Sequence, residues 1–473
     1  PVCRCRTIKR RHFHVLEARV FSSPASNEGI SGMGEALQVA ADPLHRHHPS
    51  FAEVNKVWAR IGLMSFGGPA GQISLMHKVL VDQKRWLDEG TFLLALNFCT
   101  LLPGPEAMQL ATYAGWRLHG TRGGLAAGIL FVAPGAIVIL AIAMLYANFG
   151  SIPTVESVFL GIKAAVLAIV VEALLRIARR ALAGPVDWLI AVSSFVAIFL
   201  FKVPFPLIVL AAAAIGFWQG RASTDVSPVR AEAPPAVPLA STAATVGLWL
   251  SIWLLPLFAV ALAFGFDHVL TRLAVFFSKL AVVTFGGAYA VLAYMAQDVV
   301  ETYGWLKPGE MLDGFGLAET TPGPLILVTE FVGYLAAARH GGEPAIAFGV
   351  VGAAVTLWAT FAPCFLYVFA GAPYVEWLKS VPALRGALSA ITAAVVGVIF
   401  NLSLWFALHV FFLARTEVAF GPLKIDLPQV SSLNVSAVML ALLAGVLVFV
   451  VRAGILTTLG VSALASLILT QVM

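Results

Sequence analysis

The chain has 473 residues, of which 59% are hydrophobic and 12% charged, with a mean hydropathy of +0.89 and a formal net charge of +5. This composition excludes an ordinary soluble domain: apolar runs near or above the roughly 20 residues needed to cross a bilayer recur along almost the whole chain, which predicts a polytopic helical membrane protein. The small positive balance sits mostly between apolar runs, so it reports topology and not a nucleic-acid partner.

Residues 1–50 are polar, rich in Arg, His and Ser, and expected to form a disordered cytoplasmic tail. Cys3, Cys5, His12, His14, His45, His47 and His48 fit no standard metal-site spacing, and Cys99 and Cys364 fall in apolar runs. The sequence therefore predicts no metal site, no cofactor and no disulfide framework.

The first half supplies six apolar segments, near 52–76, 91–117, 122–148, 154–176, 186–201 and 203–219. Residues 220–243, with Asp225, Pro228, Pro234, Pro235 and Pro238, read as a linker. A segment near 245–264 has no partner at the start of the first half, and six more follow near 269–296, 310–338, 344–370, 384–412, 433–451 and 454–472. The expected organisation is a tail over 1–50, a first repeat over 51–219, a linker over 220–243, and a second repeat over 244–473 with one extra leading helix at 245–264.

The halves are related by a motif carried twice. Ser65-Phe66-Gly67-Gly68-Pro69 returns 219 residues later as Thr284-Phe285-Gly286-Gly287-Ala288. At the same offset, without a gap, Trp86-Leu87 falls on Trp305-Leu306, Gly90 on Gly309, and Pro103-Gly104-Pro105 on Pro322-Gly323-Pro324. Such a repeat means two related half-proteins. The fold class expected is an all-α polytopic membrane protein of about 13 transmembrane segments in two homologous halves with broken helices. Seven crossings precede the second copy, and an odd number inverts its topology, as in transporters with inverted repeats. Arg117, Arg122, Arg176, Arg179, Arg180, Arg221 and Arg230 lie on the side of the N-terminus, which places that end in the cytoplasm and the C-terminus outside.

The helix breakers mark a candidate site. Gly67, Gly68, Pro69 and Gly71 interrupt the first segment and Pro103, Gly104 and Pro105 the second, which frees backbone groups at membrane depth. Such breaks are tolerated where they line a polar cavity, and the N-terminus of a half-helix suits an anion. The other reading is close helix packing at the glycines and kinks at the prolines.

Arg60 and Lys279 occupy matching positions two helical turns before their glycines, where each is a candidate for charge contact or for snorkelling to the interface. Lys163 lies inside the fourth segment, and Thr392 stands at the matching place in the second half; the cation reads as a partner for a carboxylate or as a substrate contact. Glu106, Glu319 and Glu330 lie near the prolines and are candidates for proton coupling, with Glu106 also placed to cap a half-helix. Gln72, Asn97, Gln109, Tyr289, Thr320 and Thr321 are neutral polar groups near the breaks, able to ligate an oxyanion or to bond between helices.

The doubled Phe-Gly-Gly, the downstream Trp86-Leu87, the Leu102-Pro103-Gly104-Pro105 run and their second copies resemble the chromate transporter family in its long, two-domain form, over about residues 50–470. The resemblance implies inner-membrane export of chromate, an oxyanion shaped like sulfate, driven by the proton gradient and conferring chromate resistance, with antiparallel halves in the lipid bilayer and a homodimer as a candidate assembly. Its motif residues here are Phe66, Gly67, Gly68, Pro69, Trp86, Pro103, Gly104 and Pro105, then Phe285, Gly286, Gly287, Trp305, Pro322, Gly323 and Pro324. Ala288 stands in place of the first copy's Pro69. Transport of sulfate or a related oxyanion and a passive anion channel stay open. A membrane enzyme is disfavoured, since the spans carry no Ser-His-Asp, Cys-His or metal-ligand constellation and no Walker-type lysine motif.

Overall fold

The computed structural model describes residues 49–222, 237–285, 288–375, 377, 381–420 and 423–472. The expected tail and most of the expected linker lie outside the described residues.

The first repeat comprises α1 (Phe51–Met64), α2 (Gly68–His77), α3 (Glu89–Cys99), α4 (Glu106–Phe149), α5 (Pro153–Ala181), α6 (Pro185–Phe201) and α7 (Phe205–Ala222). After α8 (Leu239–Phe264), the second comprises α9 (Val269–Val283), α10 (Ala288–Gln297), α11 (Pro308–Thr320), α12 (Val328–His340), α13 (Ala345–Gly371), α14 (Pro382–Phe411), α15 (Val435–Gly445) and α16 (Ile455–Val472). Trp188, Leu189, Trp218, Leu255, Leu262 and Ile468 point outward as on lipid-facing helices, while Trp58, Phe92, Phe98 and Phe131 join Phe276, Phe277, Phe331 and Phe406 in a core drawn from both halves.

The 13 expected segments are not 13 continuous helices. Among the described residues, five helices are long and apolar enough to cross a bilayer alone: Glu106–Phe149, Pro153–Ala181, Leu239–Phe264, Ala345–Tyr374 and Pro382–Phe411. The expected span near 52–76 is two helices, because Gly67 (φ 86°) and Gly68 (φ 72°) turn the chain in a conformation that side chains resist, and Pro69 stands in the first turn of α2. The expected spans near 91–117 and 122–148 meet within α4, where the expected division holds: the backbone leaves the helix at His119 (φ −139°) and Gly120 (φ 60°), and the two parts fold back on each other, a Cβ at Gly115 falling 2.4 Å from the Gly123 carbonyl oxygen.

A second departure is an antiparallel hairpin of β1 (Arg415–Phe420) and β2 (Leu423–Pro428), paired from Arg415 opposite Pro428 to Phe420 opposite Leu423.

The repeat persists to the end of the chain. Lys202 (φ 51°) between α6 and α7 and Arg452 (φ 55°) before α16 are left-handed turns 250 residues apart, the offset having grown from 219 to 229 by the Lys163–Thr392 match and further where the hairpin is inserted. These terminal helices are exchanged: α6 and α7 pack on α14 of the second repeat, and α15 and α16 pack on α5 of the first. Hydrocarbon gives helices no hydrophobic drive to associate, so close backbone packing must hold them. Glycines supply it, since a Cβ at Gly216 would fall 2.2 Å from the Gly386 carbonyl oxygen, and one at Gly161 would fall 2.2 Å from that of Ser462.

Candidate functional site

Both motif copies end their first helix in the same way. Ser65 (φ −79°, ψ 73°) and Thr284 (φ −75°, ψ 83°) adopt γ-turn geometry, with Phe66 N–H donating to Met64 O and Phe285 N–H to Val283 O, each at 3.0 Å. Their buried hydroxyls donate back to Ile61 O at 2.7 Å and Leu280 O at 2.5 Å. The turn leaves the Ser65 and Thr284 carbonyls outside their own helices.

The opposite half takes both. Gly104 N–H donates to Thr284 O at 2.8 Å, and Gly323 N–H donates to Ser65 O at 2.8 Å. Positions 104 and 323, like 65 and 284, are 219 apart, so this is one bond repeated by a two-fold relation, as at an isologous interface. Each bond needs glycine: Gly104 has φ 119° and Gly323 φ 95°, and a Cβ at Gly104 would stand 2.7 Å from Gln109 Nε2 and 3.1 Å from Cys364 Sγ. Each break thus satisfies the other's freed backbone groups at membrane depth, where water is absent.

The side chains around this crossing do not obey the two-fold. Gln72 Nε2 donates to Gly323 O at 2.6 Å, and the matching residue is Val291. Gln109 Nε2 donates to Pro103 O at 2.6 Å, and its counterpart is Val328. Tyr289 donates its hydroxyl to Glu319 Oε1 at 2.8 Å, where the first half has Ala70 and Thr100. A Cβ on Gly68 would lie 3.9 Å from Tyr289 Oη, which puts the first glycine turn beside the second half's Tyr–Glu pair. The α2 N-terminus there has no side-chain cap. Gln72 Oε1, Gln109 Oε1 and Glu319 Oε2 are buried without a hydrogen-bond partner. Unsatisfied buried acceptors are costly, about 1–3 kcal/mol each, and mark a place where a proton, water or ligand group is wanted.

The sequence family is now decided by comparison. The profile of the family described as "Chromate transporter" matches residues 52–217 and 271–469. The chain belongs to the chromate transporter family. It is 31% identical over 359 residues to the chromate transport protein of Pseudomonas aeruginosa, covering 74% of this chain and 79% of that one. It is 29% identical over 343 residues to the chromate transport protein of Cupriavidus metallidurans, covering 72% and 78%. It is 27% identical over 361 residues to a probable chromate transport protein of Synechococcus elongatus, covering 76% and 86%. No solved structure matches the chain. This is a family of transporters, and the chain is a multi-pass membrane protein. Each matched stretch holds one copy of the motif, so the crossing lies where the two matched stretches meet.

Of the motif residues expected at a site, Gly104, Pro105, Pro322, Gly323 and Pro324 are buried at or beside the crossing, while Pro103 is half-buried and Phe66 38% exposed. Gly67, Gly68 and Pro69 form the turn into α2, and Phe285 is half-buried. Gly286 and Gly287 lie outside the described residues. Arg60 and Lys279 are not drawn to the glycines: both are on exposed helix faces, and Lys279 Nζ lies 5.9 Å from the Tyr294 ring centroid.

The three candidate carboxylates separate. Glu319 joins the crossing. Glu330 on α12 is 1% exposed with Oε2 unpartnered. Glu106 is the acidic residue in the first turn of α4, directly after the N-cap Pro105, at the half-helix N-terminus where its charge was expected. Lys163 is paired with Asp313, a carboxylate that sequence reasoning passed over. Its signal was there, because the gapless repeat puts Asp313 opposite Leu94.

Proposed function

We propose that the chain exports chromate across the inner (plasma) membrane by alternating access, with proton-coupled efflux that confers chromate resistance. The anion site in this reading is the crossing of the two motifs, formed by Phe66, Gly67, Gly68, Pro69, Gln72, Pro103, Gly104 and Pro105 with Phe285, Gly286, Gly287, Pro322, Gly323 and Pro324. Arg60 and Lys279 attract the anion from the exposed helix faces. The repeats are inverted in the membrane, the N-terminus is cytoplasmic and the C-terminus is outside. The observation that carries the reading is the reciprocal pair of backbone bonds, because it places both broken helices at one pseudo-two-fold point, where inverted-repeat carriers bind their substrates.

The energetics favour the outward direction. A membrane potential of 100 mV is worth about 2.3 kcal/mol per charge, so moving a dianion out of a negative interior gains about 4.6 kcal/mol. Glu319 supplies the coupling: an ionised carboxylate at the crossing repels a dianion and a protonated one does not, so proton and anion bind together, and the one proton carried with the dianion leaves a net electrical gain of about 2.3 kcal/mol per 100 mV.

The test is accumulation of labelled chromate by energised inverted vesicles, with sulfate as competitor and Arg60→Ala, Lys279→Ala and Glu319→Gln alongside. The reading expects accumulation by wild type, loss in the cation variants at normal membrane levels, and altered pH response in Glu319→Gln. Cation variants that transport normally move the site onto the Gly and Pro backbone alone. Sulfate that competes on equal terms makes the substrate class tetrahedral dianions, flux that ignores an imposed pH gradient makes the protein a passive pathway, and no chromate accumulation by wild type overturns the reading.

A further inference from the structure

A second charged cluster lies on α11, two helical turns before the crossing. Lys163 Nζ on α5 stands 3.2 Å from Asp313 Oδ1, the side chains being 22% and 5% exposed. Tyr146 on α4 donates its hydroxyl to Asp313 Oδ2 at 2.7 Å. Gly309 and Gly316 share the helix face of Asp313 and let α5 approach: a Cβ at Gly309 would lie 3.4 Å from Lys163 Nζ, and one at Gly316 would lie 2.1 Å from Ile162 Cγ2.

The surroundings of Asp313 isolate this pair. Glu310, one turn earlier, is held by Arg339 of α12 through two bonds of 2.9 and 2.7 Å. Where α14 meets α11 the contact is the Phe315–Phe406 ring pair, and α16 carries no titratable side chain. The groups facing Asp313 are therefore Lys163, Tyr146 and the mutually neutralised Glu310 and Arg339.

Adhesion does not account for these charges. A buried ion pair is commonly replaced by uncharged residues without loss of stability, and the two-fold-related positions of this chain are uncharged, with Leu94 at the place of Asp313 and Thr392 at that of Lys163. The pair also spans the repeats, since α5 belongs to the first and α11 to the second. We propose that Asp313 is a proton-binding site whose ionised form, held by Lys163 and Tyr146, latches α5 to α11, and whose protonation releases that latch during transport. This rests on the proton-coupled reading above. In the step, a proton from water on the partly exposed Lys163 side bonds to Asp313 Oδ1. The Lys163 ammonium keeps its own proton and loses its counter-charge, while the Tyr146 hydroxyl stays bonded to Oδ2. Release of the proton to the other side restores the pair.

The full chain in proteoliposomes tests this with Asp313→Asn, the double variant Lys163→Thr/Asp313→Leu, and Tyr146→Phe. Two quantities are read: chromate counterflow at equal pH, and the response of net chromate flux to an imposed pH gradient. Asp313→Asn is expected to keep counterflow within about threefold of wild type while its pH-gradient response falls about tenfold or more. The double variant should behave alike. An unchanged pH-gradient response in Asp313→Asn overturns the proposal, as does an equal loss of counterflow and net flux at normal protein levels, since that marks a packing role. If the Asp313 variants do not accumulate, Tyr146→Phe decides: a shifted pH profile of flux supports the site, and an unshifted one refutes it. A wild type that ignores the pH gradient fails the coupled reading itself, and the latch with it.

Discussion

Gly104→Ala is the sharpest probe of the crossing. Gly104 has φ 119°, and a side chain forced into such a region costs about 1–3 kcal/mol. The new Cβ would also lie 2.7 Å from Gln109 Nε2 and 3.1 Å from Cys364 Sγ. Gln109 cannot yield freely, because its Nε2 already donates to Pro103 O at 2.6 Å. Moving it, or tilting Gly104 N–H away from Thr284 O, leaves a buried group unpaired at about 1–3 kcal/mol. The sum, about 2–6 kcal/mol, corresponds to a population change of about 30- to 25,000-fold against the crossed state. Gly67→Ala is the control, since Gly67 has φ 86° but nothing within 4 Å of its would-be Cβ, so it carries the backbone strain alone. The assay is chromate flux per unit of membrane-inserted protein, with the melting temperature of the purified protein in detergent. Flux by Gly104→Ala no lower than by Gly67→Ala would refute the claim that the reciprocal bonds build the site.

Gln72→Val installs the residue of the other half and strands the Gly323 carbonyl, so it should destabilise the detergent-purified protein by about 1–3 kcal/mol, read as a lower melting temperature. Gly386→Ala puts a Cβ 2.2 Å from the Gly216 carbonyl oxygen and should cost at least about 1–3 kcal/mol by overpacking, seen as reduced yield of folded protein. Lys163→Ala leaves Asp313 buried and unpaired; breaking a buried pair costs about 3–5 kcal/mol, less here because Lys163 is 22% exposed, and Lys163→Thr/Asp313→Leu should recover most of that loss in a thermal melt. Gly135→Ala drives a Cβ to 2.1 Å from the Pro322 carbonyl oxygen and is expected to abolish transport by displacing the second Pro-Gly-Pro, checked by flux at matched protein levels.

The repeat and its breaks were legible because Gly and Pro act locally: a positive φ or a missing N–H interrupts a helix wherever it falls. What satisfies the interrupted backbone was not legible. Nothing in two similar motifs says that Gly104 bonds to Thr284 of the other copy and not to Ser65 of its own. The exchange of α6–α7 with α15–α16 was hidden for the same reason, since small residues such as Gly161 and Gly216 announce close packing without naming the partner. Counting apolar runs joined helices that Gly67 and Gly68 divide, but it did find the division that His119 and Gly120 make within α4. The hairpin did leave a trace, because Gly421-Pro422 lies between two short runs of alternating character. Asp313 is not beside a proline; its signal is a charge opposite Leu94 in an otherwise matching repeat.

That asymmetry bears on mechanism. At the crossing the backbone is two-fold: the two bonds match to 2.8 Å. The polar side chains are not, since Gln72 and Gln109 come from the first half and Tyr289 and Glu319 from the second, each facing an apolar or neutral counterpart. The latch is likewise single, with one Lys163 and one Asp313. A purely symmetric pair of repeats would present the same chemistry to both sides of the membrane in its two rocked states. Here the backbone frame can serve both states equally, while the groups that distinguish a protonated from an ionised site differ between them. In the proposed mechanism the gradients set the direction of flux and these side chains set how proton and anion are coupled, so exchanging residues between the halves should alter coupling before it alters folding.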